Sequence, residues 1–408
     1  LKGGGDVASK KKKVDKKLWI AVACMGGLLV GLLLISCLTM RRETDYFAPE
    51  DMKEVPVVRV ALLKGAQNAK LGIRGEYEIF GVAGEEHLLQ GADLSESEIR
   101  PRPDGIEFGG YLFAVPAMDI VPKERAALRV NGIGYRGSMR VEKSQRGLVL
   151  INRVRLEEYI AGVIGNEMPL AWPDEALKAQ AIAARSYAIY RMRVMEKKGY
   201  DLGADASSQV YRGLLRETAK ARRIIHETRG IILTYRWKLF STYYHSTCGG
   251  WTCSAAEVFG ARDIAPLSGV RCGFCMSSKY YRWSFRIGLR ELENRLKKKG
   301  YAFQDIRTVE ALRPPHRRLV KALKIVHRDG TVTVPANRFR LAVGPQKVRS
   351  MVFTLKQSGK ELLFEGEGWG HSVGLCQVGA KGMAQAGYDA VHILKHYYPG
   401  SELVKLYD

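Results

Sequence analysis

The sequence predicts an α+β protein with one membrane-spanning helix near its N-terminus. A mixed, β-rich domain outside the cytoplasm follows, with a helical block set into it. Three observations predict this. Residues Leu18 to Met40 are apolar and uncharged throughout, long enough for a helix to cross a bilayer. From Val57 to Asn152, apolar and polar residues alternate between glycine-marked turns, the pattern of half-buried strands. From Leu156 to Val194 the pattern becomes two helices on either side of a short break.

At 408 residues the chain has room for one large domain or two ordinary ones. The expected parts are a basic tail (1–17), the spanning helix (18–40), a polar tether (41–55), a β-rich region (56–131) and a domain with the candidate chemistry (132–408). The formal charge of +23 implies an anionic partner: nucleic acid, a membrane surface or an acidic polymer. No nucleic-acid-binding motif of the usual kinds accompanies it, so nucleic acid is not expected.

Lys10 to Lys13, Lys16 and Lys17 precede the apolar run, while Arg41 and Arg42 and then Glu43, Asp45, Glu50 and Asp51 follow it. The lysine-rich side is expected to stay in the cytoplasm. The run is longer than a signal-peptide core and lacks a small-x-small cleavage site. Leu34-Ile35-Ser36-Cys37 resembles a lipoprotein processing site, so a lipid anchor on Cys37 is the alternative. Within the strand region, Leu128 to Gly137 reads as a hairpin with Asn131-Gly132 at its turn.

The residue before a proline avoids the helical region, so the first helix ends near Met168, ahead of Pro169. Pro173, Asp174 and Glu175 open the second. Glu167 therefore sits at a helix end beside Met168, Pro169 and Trp172. One reading makes it a solvated terminal residue. The other makes it a partly desolvated carboxyl with a raised pKa, able to act as an acid at neutral pH.

Beyond the block, Asp201 to Tyr211 reads as a polar loop and Thr218 to Thr228 as a helix. Ile231–Tyr235 and Trp237–Tyr244 read as a strand pair leading into His245-Ser246-Thr247-Cys248-Gly249-Gly250-Trp251-Thr252-Cys253. Cys272-x2-Cys275 follows. Paired short turns of this kind suit tetrahedral zinc, with His245, Cys248, Cys253, Cys272 and Cys275 as the candidate ligands. Disulfides or free thiols are the alternatives. Four protein ligands would make the zinc structural, and three plus water would leave it open for catalysis. Cys376 stands alone.

A helix (Leu289–Lys299) and strands (Leu319–Val326 and Thr331–Val334, joined through Asp329-Gly330) carry a concentration of arginine and lysine. It is either a solvated face or a surface for an anionic polymer. Gly366 to Ala380 is too rich in glycine for an ordinary strand and allows close backbone approach. A helix is expected from Gly382, and another from Ala390 to Tyr398.

The blocks E-M-P at Glu167, W-P-x-E-A-L-K-A-Q-A at Trp172 and A-A-R-S-Y-A at Ala183 resemble the SpoIID/LytB family, the stage II sporulation protein D and amidase-enhancer proteins. H-S-T-C-G-G-x-T at His245 and the glycine-rich run around His371 also resemble it, so the likeness extends from about Gly132 to the end. In that run Ser372, Leu375 and Cys376 depart from the family's glycine, methionine and serine. The resemblance implies a SpoIID-like domain and a lytic transglycosylase acting on peptidoglycan glycan strands. It implies Glu167 as catalytic acid/base, and Gln180, Arg185, Tyr187, His371 and Gln377 along the glycan groove. Zinc near the site and a cell-wall amidase as partner are further implications. Two other readings stay open: a non-catalytic amidase enhancer, and a zinc hydrolase, although no H-E-x-x-H helix is present.

Overall fold

A computed structural model describes residues 54–81, 86–123, 126–315 and 317–408. Ten strands lead the described chain: β1 (Val57–Ala66), β2 (Ala69–Gly81), β3 (His87–Arg102), β4 (Gly105–Phe108), β5 (Tyr111–Phe113), β6 (Ala117–Pro122), β7 (Ala127–Val130), β8 (Ile133–Tyr135), β9 (Ser138–Ser144) and β10 (Gly147–Arg155). Side chains alternate across a strand. In β1 this buries Val58 and Val60 while Val57 stays exposed. The strands join in one sheet with the order β11-β1-β10-β9-β6-β2-β3-β4-β5, where β11 is the two-residue strand Leu202–Gly203. The Asn-Gly hairpin forms as expected. Asn131 and Gly132 both have positive φ (48° and 78°), the twist that a two-residue hairpin turn requires.

β10 runs straight into α1 (Leu156–Glu167), and α2 (Asp174–Val194) follows after the Pro169–Pro173 break. Met168 is extended (φ −129°, ψ 143°) and ends α1 as its proline neighbour demands. Both helices bury most of their length in a core shared with the sheet, and alanines along α2 let its neighbours approach closely. α3 (Ala219–Glu227) is capped by the Thr218 hydroxyl, which accepts from Ala221 N at 3.2 Å.

The expected strand pair 231–235 with 237–244 does not form. β12 (Ile231–Thr234) instead pairs antiparallel with the C-terminal strand, Glu402–Lys405. Arg236 and Trp237 both take positive φ (52° and 60°), which reverses the chain after a single Tyr235–Lys238 bridge. Only β13 (Tyr244–His245) remains as strand.

After the short helix α4 (Ala255–Phe259), a second body with its own core runs from β14 (Arg282–Gly288) to β19 (Glu361–Glu367). Between them lie α5 (Leu289–Lys297), β15 (Thr308–Leu312), β16 (Ala322–His327), β17 (Gly330–Pro335), α6 (Ala336–Val343) and β18 (Phe353–Ser358). Trp283, Leu292, Phe339 and Phe364 are buried at its centre. β14 and β19 pair antiparallel with Arg282 opposite Glu367, so the two ends of this insertion leave side by side. The chain returns through β20 (Leu375–Cys376), which lies parallel to β13. Then come α7 (Gln377–Gln385), α8 (Ala390–Tyr397) and β21 (Glu402–Lys405). α7 begins five residues ahead of the expected Gly382, because the Cys376 sulfur accepts from Gly379 N and caps it.

The architecture expected from the sequence is corrected in one major respect. The described residues form a β-rich fold with eight helices, and none of these is long and apolar enough to cross a membrane. The longest, α2, carries Asp174, Glu175, Lys178, Arg185, Arg191 and Arg193. Residues 18–40 and the alternative anchor Cys37 lie outside the described residues, and no helix among the described residues supports the expected single-pass membrane localisation.

Candidate active site

Glu167 is the last residue of α1, directly before the extended Met168 and the proline break. The segment 201–216 crosses α1 closely at Gly162, whose added Cβ would lie 2.6 Å from the Tyr211 ring and 2.8 Å from Gly213 O. That approach brings Val210 N within 2.7 Å of Glu167 Oε1, to which it donates. Tyr244 from β13 and Gln377 from the start of α7 also hydrogen-bond the carboxyl. Burial raises the Glu167 pKa above its ordinary value, and these three donors only partly oppose it. No other carboxylate figures among the groups that shift it.

Behind these donors lies a buried polar chain. Tyr159 donates to Gln209 Oε1 at 2.9 Å, and Gln209 Nε2 donates to Tyr244 Oη at 3.0 Å and to Ala184 O at 3.1 Å. The neutral amide of Gln209 thus fixes the Tyr244 hydroxyl beside the acid. Replacing Tyr244 with Phe removes a donor to the charged carboxylate, so the Glu167 pKa should climb further. Carbon-13 NMR of the labelled carboxyl across pH reads this directly, and an unchanged titration would exclude Tyr244 from the site.

The groove residues implied by the resemblance divide on inspection. Gln377 meets Glu167 and donates to Gln180 Oε1 at 3.4 Å, while Gln180 Nε2 is buried without a partner. Arg185 lies elsewhere. It is fully buried and forms a two-pronged pair with Glu157, Nε to Oε1 at 2.9 Å and Nη2 to Oε2 at 2.8 Å. Its charge is spent on holding α2 to α1, so it does not face a groove. Tyr187 is buried against Tyr243 (ring centroids 6.2 Å apart), in an aromatic series that continues through Phe259 to His371. His371 accepts from Val373 N at 3.1 Å, and burial pushes its pKa down to about 3, so the ring is neutral. No contact joins it to Glu167.

Trp172, in the break between the helices, is half-buried, with Lys381 Nζ 5.4 Å from its ring centroid. The acids that open α2 are engaged: Asp174 with Lys220 and Arg223, and Glu175 with Lys178 and Ala390 N. A cavity of about 890 Å³ lies in the insertion, lined by Arg282, Trp283, Arg313, Arg317 and Arg318, and includes none of the residues around Glu167. Its arginines are partly neutralised, Arg318 by Glu367 and Arg317 by Glu257.

The expected metal ligands are also regrouped. Cys248, Cys272 and Cys275 converge, but the fourth member is Cys376, and all four sulfurs lie within 4.8 Å of one another. His245 is not in the group; its Nδ1 lies 3.1 Å from Val373 O. Cys253 is tied by its backbone to Ser372 and Val373, with its thiol outside the cluster. Tyr244, Val210, Gln209 and Cys376 went unrecognised in the sequence. Only Tyr244 had a local signal, its place directly before the His245-Ser246-Thr247 block.

The SpoIID profile (stage II sporulation protein) matches residues 144–235, which hold α1, α2 and the Val210 segment, and a domain of unknown function (DUF8618) matches residues 270–374. An uncharacterized protein of Brachyspira hyodysenteriae is 30% identical over 349 residues, covering 85% of this chain and 93% of that protein. Stage II sporulation protein D of Bacillus amyloliquefaciens is 29% identical, covering 62% of this chain and 75% of its own length. The amidase enhancer of Bacillus subtilis is 27% identical, covering 60% of this chain and 40% of its own. On the matched helices, and on a likeness that runs through most of its length, the chain belongs to the SpoIID family of stage II sporulation proteins.

Proposed function

We propose that this chain is a peptidoglycan lytic transglycosylase, cutting glycan between N-acetylmuramic acid and N-acetylglucosamine and leaving 1,6-anhydro-muramic ends. The coarser statement, that its function belongs to the cell wall, rests on kinship with SpoIID proteins and an amidase enhancer. The observation that carries the finer one is Glu167, a solitary carboxyl with a raised pKa held by three donors.

Protonating a glycosidic oxygen needs a carboxyl still protonated near neutral pH. As the bond to the leaving oxygen breaks, the Glu167 proton passes to that oxygen. The carboxylate then takes the proton of the muramic acid's own 6-hydroxyl, whose oxygen closes on C1. No water enters, and the acid ends protonated again. Val210 N fixes one carboxyl oxygen, while Tyr244 and Gln377 stabilise the transient carboxylate. A hydrolase of the two-carboxylate kind needs a second free acid at a defined separation. The nearby Asp174 and Glu175 are committed to lysine, arginine and backbone partners.

The amidase-enhancer kinship favours a second reading, in which the groove binds glycan without cutting it and a cell-wall amidase is the partner. Digestion of defined glycan strands by the full chain, followed by mass spectrometry, separates the two. Anhydro-muramic ends support the transglycosylase. Reducing ends made with water would replace it with a hydrolase, and intact glycan with stimulation of an added amidase would leave the enhancer.

A further inference from the structure

Four buried thiols meet where the insertion joins the rest of the chain. Cys272 and Cys275 lie on the incoming segment just before β14, Cys376 on the outgoing strand β20, and Cys248 just after β13. All four are at most 2% exposed. Zinc–sulfur bonds of about 2.3 Å at tetrahedral angles put sulfurs about 3.8 Å apart. Here Cys248 and Cys275 are 3.5 Å apart, and the whole set lies within 4.8 Å. The surroundings favour bound thiolate. Cys248 N and Gly379 N each donate to Cys376 Sγ at 3.3 Å, and the Tyr397 hydroxyl lies 3.1 Å from Cys272 Sγ. α7 rests on the cluster so closely that a Cβ on Gly379 would come 2.8 Å from Cys272 Sγ.

We propose that Cys248, Cys272, Cys275 and Cys376 hold one zinc ion in a closed four-thiolate site that pins the neck of the insertion and, through β13 and β20, the strand ends presenting Tyr244 and Gln377. Four sulfur ligands leave no position for water, so the ion is structural. Loading releases the thiol protons to solvent. The assignment is independent of what Glu167 does, because each readout below reports metal or local order and not cleavage.

The full chain, purified without chelator, should carry one zinc in elemental analysis and native mass spectrometry. Cobalt(II) exchanged into the site should give the charge-transfer and d–d absorption of all-thiolate tetrahedral coordination. Under alkylation, Cys253 should react first, and Cys248, Cys272, Cys275 and Cys376 only after a chelator is added. Cys376→Ser should lose the metal, while Cys253→Ser and His245→Ala keep it. If Cys376→Ser does not fold, the cobalt spectrum and alkylation order of the wild type decide the ligand set alone. Chelation should speed hydrogen exchange at 272–281 and 366–378 and leave β1 and β10 protected. Iron in place of zinc, masses showing two disulfides, or metal kept in Cys376→Ser but lost in Cys253→Ser or His245→Ala would each overturn the proposal. Exchange that rises uniformly, or nowhere, would overturn the neck assignment.

Discussion

Glu167→Gln should fold, bind glycan strands and cut them about 10²–10⁴-fold more slowly than the wild type, the usual cost of removing general acid–base help. Glutamine keeps the shape and still accepts from Val210 N, but it cannot lose or gain the proton. The same variant carries a second signature, in stability. The folded pKa of Glu167 is raised, so the folded state holds its proton where the unfolded chain has released it. The favourable contribution of the protonated carboxyl is therefore complete below the unfolded value of about 4.5 and is lost as pH rises through the folded pKa. Glu167→Gln never ionises, so its melting temperature relative to wild type should increase with pH over that interval. Wild-type activity in the variant would remove Glu167 from the chemistry. A melting difference flat with pH would contradict the burial of the carboxyl.

The largest stability effect is expected at Arg185 and Glu157. Glu157 receives both prongs of the guanidinium, the Tyr407 hydroxyl at 2.6 Å and Gly230 N at 3.3 Å. Burial alone would raise its pKa; the charge and hydrogen bonds of Arg185, with Tyr407 and Gly230, outweigh it and hold the carboxyl below its ordinary value. Removing one member strands the other charge in the interior, at a cost of about 3–5 kcal/mol. Arg185→Met and Glu157→Leu should each lose that much in chemical denaturation, and combining them should recover most of the loss. The folded pKa is depressed, so the pair's contribution is present above the ordinary carboxylate range and drains away as pH falls through the folded value. Single variants within 1 kcal/mol of wild type, a threshold near the net worth of an ordinary hydrogen bond, would show that the pair does not hold the helices.

What the sequence disclosed was local. A proline dictates where α1 stops, so the place of Glu167 at a helix end was legible, whereas the depth of its pocket depends on Val210, Tyr244 and Gln377 arriving from three distant segments. The Asn131-Gly132 hairpin was readable from turn chemistry alone, whereas at the expected Asp329-Gly330 turn a hairpin forms one residue earlier, with Arg328 and Asp329 at the turn and Gly330 paired with His327. The partner of β12 was not readable, because β21 lies at the far end of the chain and no short-range pattern points to it. Arg185 sits in a block that reads as a groove, but its direction is set by Glu157, 28 positions earlier. Cys376 looked solitary for the same reason: the nearest thiol in sequence belongs to the other side of the insertion.

The side-by-side ends of that insertion also bear on the order of folding. Cys248 and Cys376 are 128 residues apart, a separation at which loop closure opposes early contact. The detour shortens once β14 has paired with β19, because Arg282 then faces Glu367 and the flanking segments emerge together. The insertion thus acts as a splint that must set before Cys376 can join the three thiols on the incoming side. A cavity opened far away at Phe339 or Phe364, fully buried in the insertion's core, should delay metal capture during refolding although it touches no sulfur.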